Sequence, residues 1–144
     1  MANNSFNVFL NKKISPFNKT IEVDPDKSIS IRSILIGSIS LNISTVKNIL
    51  ESLDVKSAIL VCRKLGVKIK KIKPKQYKIY GKGLGSLFIK KNSVLNFGNS
   101  GTLARLLIGI LSTTPNITVN LKGDHSLNKR SMKKLINLIN KFGT

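Results

Sequence analysis

Cysteine is almost absent from this chain: Cys62 is alone among 144 residues. A single thiol rules out an internal disulfide framework and suits a reducing compartment. Histidine also occurs once, as His125, so no cluster of imidazoles can bind a metal. No Ser-His-Asp or Cys-His arrangement stands out. Tryptophan is missing and tyrosine occurs twice, which leaves few platforms for stacking nucleobases. The longest apolar stretch, Leu103 to Leu111, is broken by Arg105 and Gly109 and is too short to span a bilayer. Met1 to Asn11 has no basic segment followed by an apolar run, so no signal peptide is read and the expected location is cytoplasmic.

Acidic residues are scarce as well. Six face 25 basic ones, for a net charge of +19, and after Asp54 the only acid is Asp124. Such a surface attracts polyanions: nucleic acid, anionic lipid or phosphorylated metabolites. A biased composition gives the same excess by a plainer route, because most of the charge is lysine and isoleucine and asparagine abound. The lysines are then simply solvated. The four arginines carry more information. Arg32, Arg105 and Arg130 lie beside Gly, Ser, Asn or Asp clusters, whereas Arg63 sits in an ordinary amphipathic pattern. A guanidinium grips phosphate or carboxylate through a rigid fork that lysine lacks. With 41% hydrophobic and 22% charged residues, the composition fits one globular domain with a true core.

Periodicity divides the chain into elements. Residues 5–10 and Thr20–Asp24 alternate as strands, with a connector between them. A helix capped by Ser28 or Ser30 is expected to run through Ile39. A strand follows over Ser44–Ile49, then a helix over Val55–Leu65, capped by Asp54 and closed by Gly66. Val67–Ile72 and Gln76–Tyr80 read as paired strands turning at Lys73-Pro-Lys75. The pattern then restarts: strand Val94–Phe97, loop Gly98–Gly101, helix Thr102–Ser112, strand Ile117–Leu121, loop Gly123–Ser126, and a helix over about 128–142. Lys27-Ser-Ile-Ser-Ile-Arg-Ser-Ile-Leu-Ile-Gly37 echoes Asn99-Ser-Gly-Thr-Leu-Ala-Arg-Leu-Leu-Ile-Gly109. Two copies of one strand-helix-strand-helix-strand-strand unit are implied, the second without its last two strands.

Three motifs carry chemistry. Asp26-Lys-Ser-Ile-Ser-Ile-Arg32 opens a helix, where free amides and the dipole favour an anion, with Lys27, Ser28 and Arg32 alongside. Its plainer reading is a capped helix bearing two solvated bases. Gly98-Asn-Ser-Gly-Thr102 lets backbone approach a ligand closely, or is merely a glycine turn. It lacks the Gly-Lys-Ser/Thr ending of a P-loop. In Gly123-Asp-His-Ser-Leu-Asn-Lys-Arg130, Asp124 caps a turn or pairs with a base, and Lys129 and Arg130 face a ligand or water.

Taken in order, these stretches together with Glu51-Ser-Leu-Asp-Val55 resemble the 5-enolpyruvylshikimate-3-phosphate synthase family, from about Thr20 onward. The resemblance implies an α/β (α+β) fold of repeated βαβαββ units, the inside-out α/β barrel of enolpyruvyl transferases. Residues 1–18 would then form an N-terminal strand and hinge belonging to a second globule. Residues 19–144 would be a partial first domain, with repeat one at about 19–90 and an incomplete repeat two at about 91–144. The implied reaction transfers the enolpyruvyl group of phosphoenolpyruvate to the 5-hydroxyl of shikimate 3-phosphate, without metal or organic cofactor. Lys27, Ser28 and Arg32 fall at shikimate 3-phosphate positions. Lys27, Asn99, Gly101, Thr102 and Arg130 fall at phosphoenolpyruvate positions, with Lys27 and Arg130 the expected catalytic pair. The whole enzyme is expected to be a monomer with no membrane partner. Ser131, where the family usually has proline, and Pro25-Asp26 before the lysine are local departures. Family members are much longer, so these 144 residues are expected to be inactive alone. Two other readings predict different behaviour. A UDP-N-acetylglucosamine enolpyruvyl transferase-like enzyme is disfavoured by Lys-Ser-x-Ser-x-Arg at Lys27–Arg32. A basic nucleic-acid-binding module would show steeply salt-dependent binding.

Overall fold

The computed structural model describes Phe9, Asn11, Pro16, Asn18 and residues 20–143. Apart from those four positions, the strand expected at residues 5–10 and the hinge up to residue 18 lie outside the described residues. Among the described residues, ten elements follow in order: α1 (Lys27–Ile39), β1 (Ile43–Val46), α2 (Leu53–Lys64), β2 (Lys68–Lys73), β3 (Gln76–Tyr80), β4 (Val94–Asn96), α3 (Gly101–Leu111), β5 (Asn120–Lys122), α4 (His125–Asn128) and α5 (Lys133–Asn140). The first three strands form an antiparallel sheet in the order β1-β3-β2, and β4 pairs with β5 in parallel. This is a mixed α/β arrangement, and the described residues do not close into a barrel.

The core is one cluster between the helices and the first sheet. Ile31, Ile34 and Leu35 of α1 meet Val55, Ala58, Ile59 and Cys62 of α2 and Leu103 and Leu107 of α3. On α2 the buried residues recur at helical spacing, so one stripe faces inward. Along β3, Tyr77 and Ile79 point in while Lys78 points out, as the two-residue period of a strand requires. Ile79 is fully buried, a burial that stabilises by about 1.5–3 kcal/mol. No helix among the described residues is long and apolar enough to cross a membrane.

Several expectations need correction. Asp26, not Ser28 or Ser30, caps α1: its carboxylate accepts from the Ile29 amide at 2.7 Å. Ser30 is buried instead, its hydroxyl donating to the Asp26 carbonyl and accepting from the Leu50 amide. Ser52, not Asp54, caps α2, which leaves the Asp54 carboxylate free for another task. Residues 20–24 form no strand: the stretch is exposed and pairs with no strand among the described residues. The strand expected over Ile117–Leu121 is shorter and shifted, at Asn120–Lys122. The helix expected over 128–142 is two helices. Asp124 starts α4 early by accepting from the Leu127 amide, the chain breaks at Lys129–Met132, and α5 begins at Lys133.

Candidate functional site

Short-range chemistry brings three loops to one place. Ser30 and Ser52 fix the start of α1 and the start of α2, so Lys27 and Asp54 come within 3.0 Å of each other as an ion pair. The parallel pairing of β4 and β5 runs on past their ends: the Phe97 amide donates to the Lys122 carbonyl, and the Asp124 amide donates to Gly98 at 2.8 Å. The Gly98–Gly101 and Gly123–Arg130 loops are thereby laid side by side. Arg130 then reaches across, its Nη2 donating to the Asn99 side-chain oxygen at 2.8 Å. Ser100 caps α3 through the Leu103 amide.

The result is an open recess of ≈ 420 Å³ lined by Lys27, Asp54, Asn99, Gly101, Thr102, Arg105 and Arg130. Gly101, buried, lines it from the first position of α3. A Cβ there would meet Arg130 Nη1 at 2.9 Å and Arg105 Nη1 at 3.1 Å. The bare glycine thus lets two guanidinium groups converge on a helix start. Three cations surround the recess against one acid, Asp54, which Lys27 already engages. Both the α3 dipole and the surplus charge favour a multiply charged anion there.

Of the residues expected from the sequence, Lys27, Asn99, Gly101, Thr102 and Arg130 share this recess. Ser28 and Arg32 are not in its lining: Ser28 is half-buried at the second position of α1, and Arg32 is exposed further along it. Two lining residues, Arg105 and Asp54, were not among the expected site residues. Arg105 lies one helical turn after Gly101, so the spacing was a readable signal that both share a face. Asp54 does not cap α2 as its sequence suggests but pairs with Lys27. His125 is exposed at the start of α4, and Lys129 ends that helix.

Outside the recess, Glu51, Tyr77 and Cys62 are held away from their ordinary values. The Lys71 ammonium and then the Tyr77 hydroxyl, both bonded to Glu51, draw its carboxyl down to about 2. Burial, then the Glu51 carboxylate, pushes Tyr77 up to about 12. Burial pushes the Cys62 thiol up to about 11. The first two brace the β2–β3 hairpin against the loop before α2, and the third belongs to the core.

Residues 11–144 match the family model of EPSP synthase (3-phosphoshikimate 1-carboxyvinyltransferase). The 3-phosphoshikimate 1-carboxyvinyltransferase of Syntrophomonas wolfei is 39% identical over 127 residues, covering 88% of this chain and 29% of the relative. That of Bacillus velezensis is 39% identical over 132 residues, covering 92% and 30%. Among solved structures, EPSP synthase from Acinetobacter baumannii superposes with a TM-score of 0.79 at 35% identity, covering 86% of this chain and 28% of that one. The chain therefore spans under a third of the length of the relatives it matches.

Proposed function

This chain belongs to the EPSP synthase family, and from that premise we propose that its cationic recess is part of a site where phosphoenolpyruvate and shikimate 3-phosphate react. The observation that carries the reading is the convergence of Lys27, Arg105 and Arg130 around Gly101. In this reading Lys27 and Arg130 hold phosphoenolpyruvate, and Asn99 keeps the Arg130 fork in place. Gly101 leaves room for the substrate, and Thr102 shapes the loop beside it. Arg105 adds a third positive group on the same side. Ser28 and Arg32 reach shikimate 3-phosphate from outside the recess.

The reaction is an addition followed by an elimination. The 5-hydroxyl of shikimate 3-phosphate gives up its proton as its oxygen bonds to C2 of phosphoenolpyruvate, and C3 takes up a proton as the double bond opens. The C2–O bond to phosphate then breaks, inorganic phosphate leaves, and loss of a proton from C3 restores the double bond. Both substrates are multiply anionic, so fixed cations and a helix start supply the main stabilisation. Proton-handling groups come from the greater length that the relatives have, and closure around the substrates aligns them. The reading places the enzyme in the cytoplasm, working as a monomer on small molecules.

Calorimetric titration of the 144-residue chain with phosphoenolpyruvate tests this. Binding without turnover is expected. Lys27→Ala or Arg130→Ala should weaken it by about tenfold to a hundredfold, the worth of one charge-assisted hydrogen bond. Unchanged affinity in the double variant would refute the assignment.

A further inference from the structure

The outer face of the first sheet is built largely of lysine. Ile69, Tyr77 and Ile79 turn inward and are buried, so the alternate residues of these strands turn outward. The register places Lys68 beside Tyr80, Lys70 beside Lys78 and Lys73 beside Gln76, with Thr45 of β1 on the other side of Lys78. The four lysines are exposed. Tyr80 is half-buried among them, with Lys68 Nζ 5.0 Å from the centre of its ring.

Composition accounts for how many lysines the chain has, but not for where its acids stand. Asp26 and Asp124 cap helices, and Asp54 holds Lys27. Glu51 holds Lys71 and the Tyr77 hydroxyl, on the side to which Tyr77 turns. Among the described residues, neither ion pair uses a lysine of the outer face. Lys70 and Lys78 stand directly opposite each other, and like charges so placed destabilise the free sheet. An anion laid across the strands relieves that repulsion. The face shares no residue with the lining of the recess around Gly101, so it is a second cationic surface.

We propose that this outer face binds single-stranded nucleic acid through its phosphates, without regard to sequence. Lys68, Lys70, Lys73 and Lys78 neutralise phosphates along the strand, and the Tyr80 ring offers one stacking surface for a base. Ammonium groups on flexible stems suit a backbone that has to be held but not read. A membrane surface fits less well. Thr45 and Gln76 stand beside the lysines where a lipid-binding face needs an apolar set to bury, and Ile43 lies on the edge strand.

The test titrates the 144-residue chain into a fluorescently labelled oligouridine at several salt concentrations. Log affinity should fall with log salt at a slope of about −0.7 per phosphate neutralised, so about −3 for four lysines. The triple variant Lys68→Gln, Lys70→Gln, Lys78→Gln should bind about tenfold more weakly at low salt, with the slope reduced by about 2. A control triple variant, Lys133→Gln, Lys134→Gln, Lys141→Gln, removes the same charge from exposed lysines at the last helix and should keep both affinity and slope. In the isotope-labelled chain, resonance shifts on adding the oligonucleotide should fall on Lys68–Lys73 and Gln76–Tyr80. Equal losses in the two variants would mean that net charge alone attracts the strand, and would overturn the proposal. Shifts confined to Gly101–Arg105 and Arg130 would place the strand in the recess and overturn it too. So would absence of oligouridine binding, with or without binding to vesicles of phosphatidylcholine and phosphatidylserine.

Discussion

The two halves of this molecule solve one packing problem to different extents. In the first, α1 is covered by a hairpin whose central strand, β3, pairs on both sides and buries Ile79 on Gly37. In the second, α3 carries the equivalent Gly109 bare, and β5 has a partner on one side only among the described residues. Conversely, the second half shows a parallel pair, β4 with β5, flanking its first helix, while residues 20–24 make no such pair with β1. Each half therefore displays a pairing that the other lacks. The anion recess lies where they meet, with Lys27 and Asp54 from one half and Asn99, Gly101, Arg105 and Arg130 from the other. Packing completeness and site assembly are separate matters here: helix starts and caps set the recess, and strand cover sets stability.

The same substitution at the equivalent glycines sharpens this contrast most. Gly37→Ala forces a methyl against fully buried Ile79 and should cost about 1–3 kcal/mol, as overpacking does. Gly109→Ala meets no obstacle and should stabilise by up to about 1 kcal/mol through helix propensity. Urea unfolding of both variants decides the matter, and equal effects of one sign would break the contrast.

A smaller effect is expected at acid pH. Among the described residues both ion pairs involve the first half alone, Lys27 with Asp54 and Lys71 with Glu51. An ordinary glutamate titrates near 4.5, and Glu51 is drawn down to about 2. Its folded value is depressed, so its contribution is present above pH 4.5 and is lost as pH falls toward 2. Glu51→Gln should flatten the stability curve across that window and leave its shape near neutrality unchanged. An identical acid limb in the variant would contradict the assigned ion pair.

Much of this organisation was legible in the sequence. Alternation located Gln76–Tyr80 correctly and its partner strand to within one residue, because a half-buried hairpin has to alternate. The family resemblance placed Lys27, Asn99, Gly101, Thr102 and Arg130 at substrate positions, and the fold gathers these five into one recess while Ser28 and Arg32 stay outside its lining. What was not legible depends on contacts distant in sequence. Ser30 was a plausible cap until the Leu50 amide, 20 residues away, claimed its hydroxyl. Asp54 was a plausible cap until Ser52 took that role and Lys27 took the carboxylate. Thr20–Asp24 alternates as a strand should, but alternation does not supply a partner edge. Asp124 caps a separate short α4 that ends at Asn128, and the predicted last helix begins only at Lys133.

Residue-resolved amide hydrogen exchange on the intact chain tests the central contrast most directly, since it reads local opening in both halves in one sample. The account predicts that amides of Gln76–Tyr80, central in their sheet, exchange only near global unfolding. Those of Asn120–Lys122 should exchange faster by about a hundredfold or more through local opening. Equal protection of the two strands would contradict it.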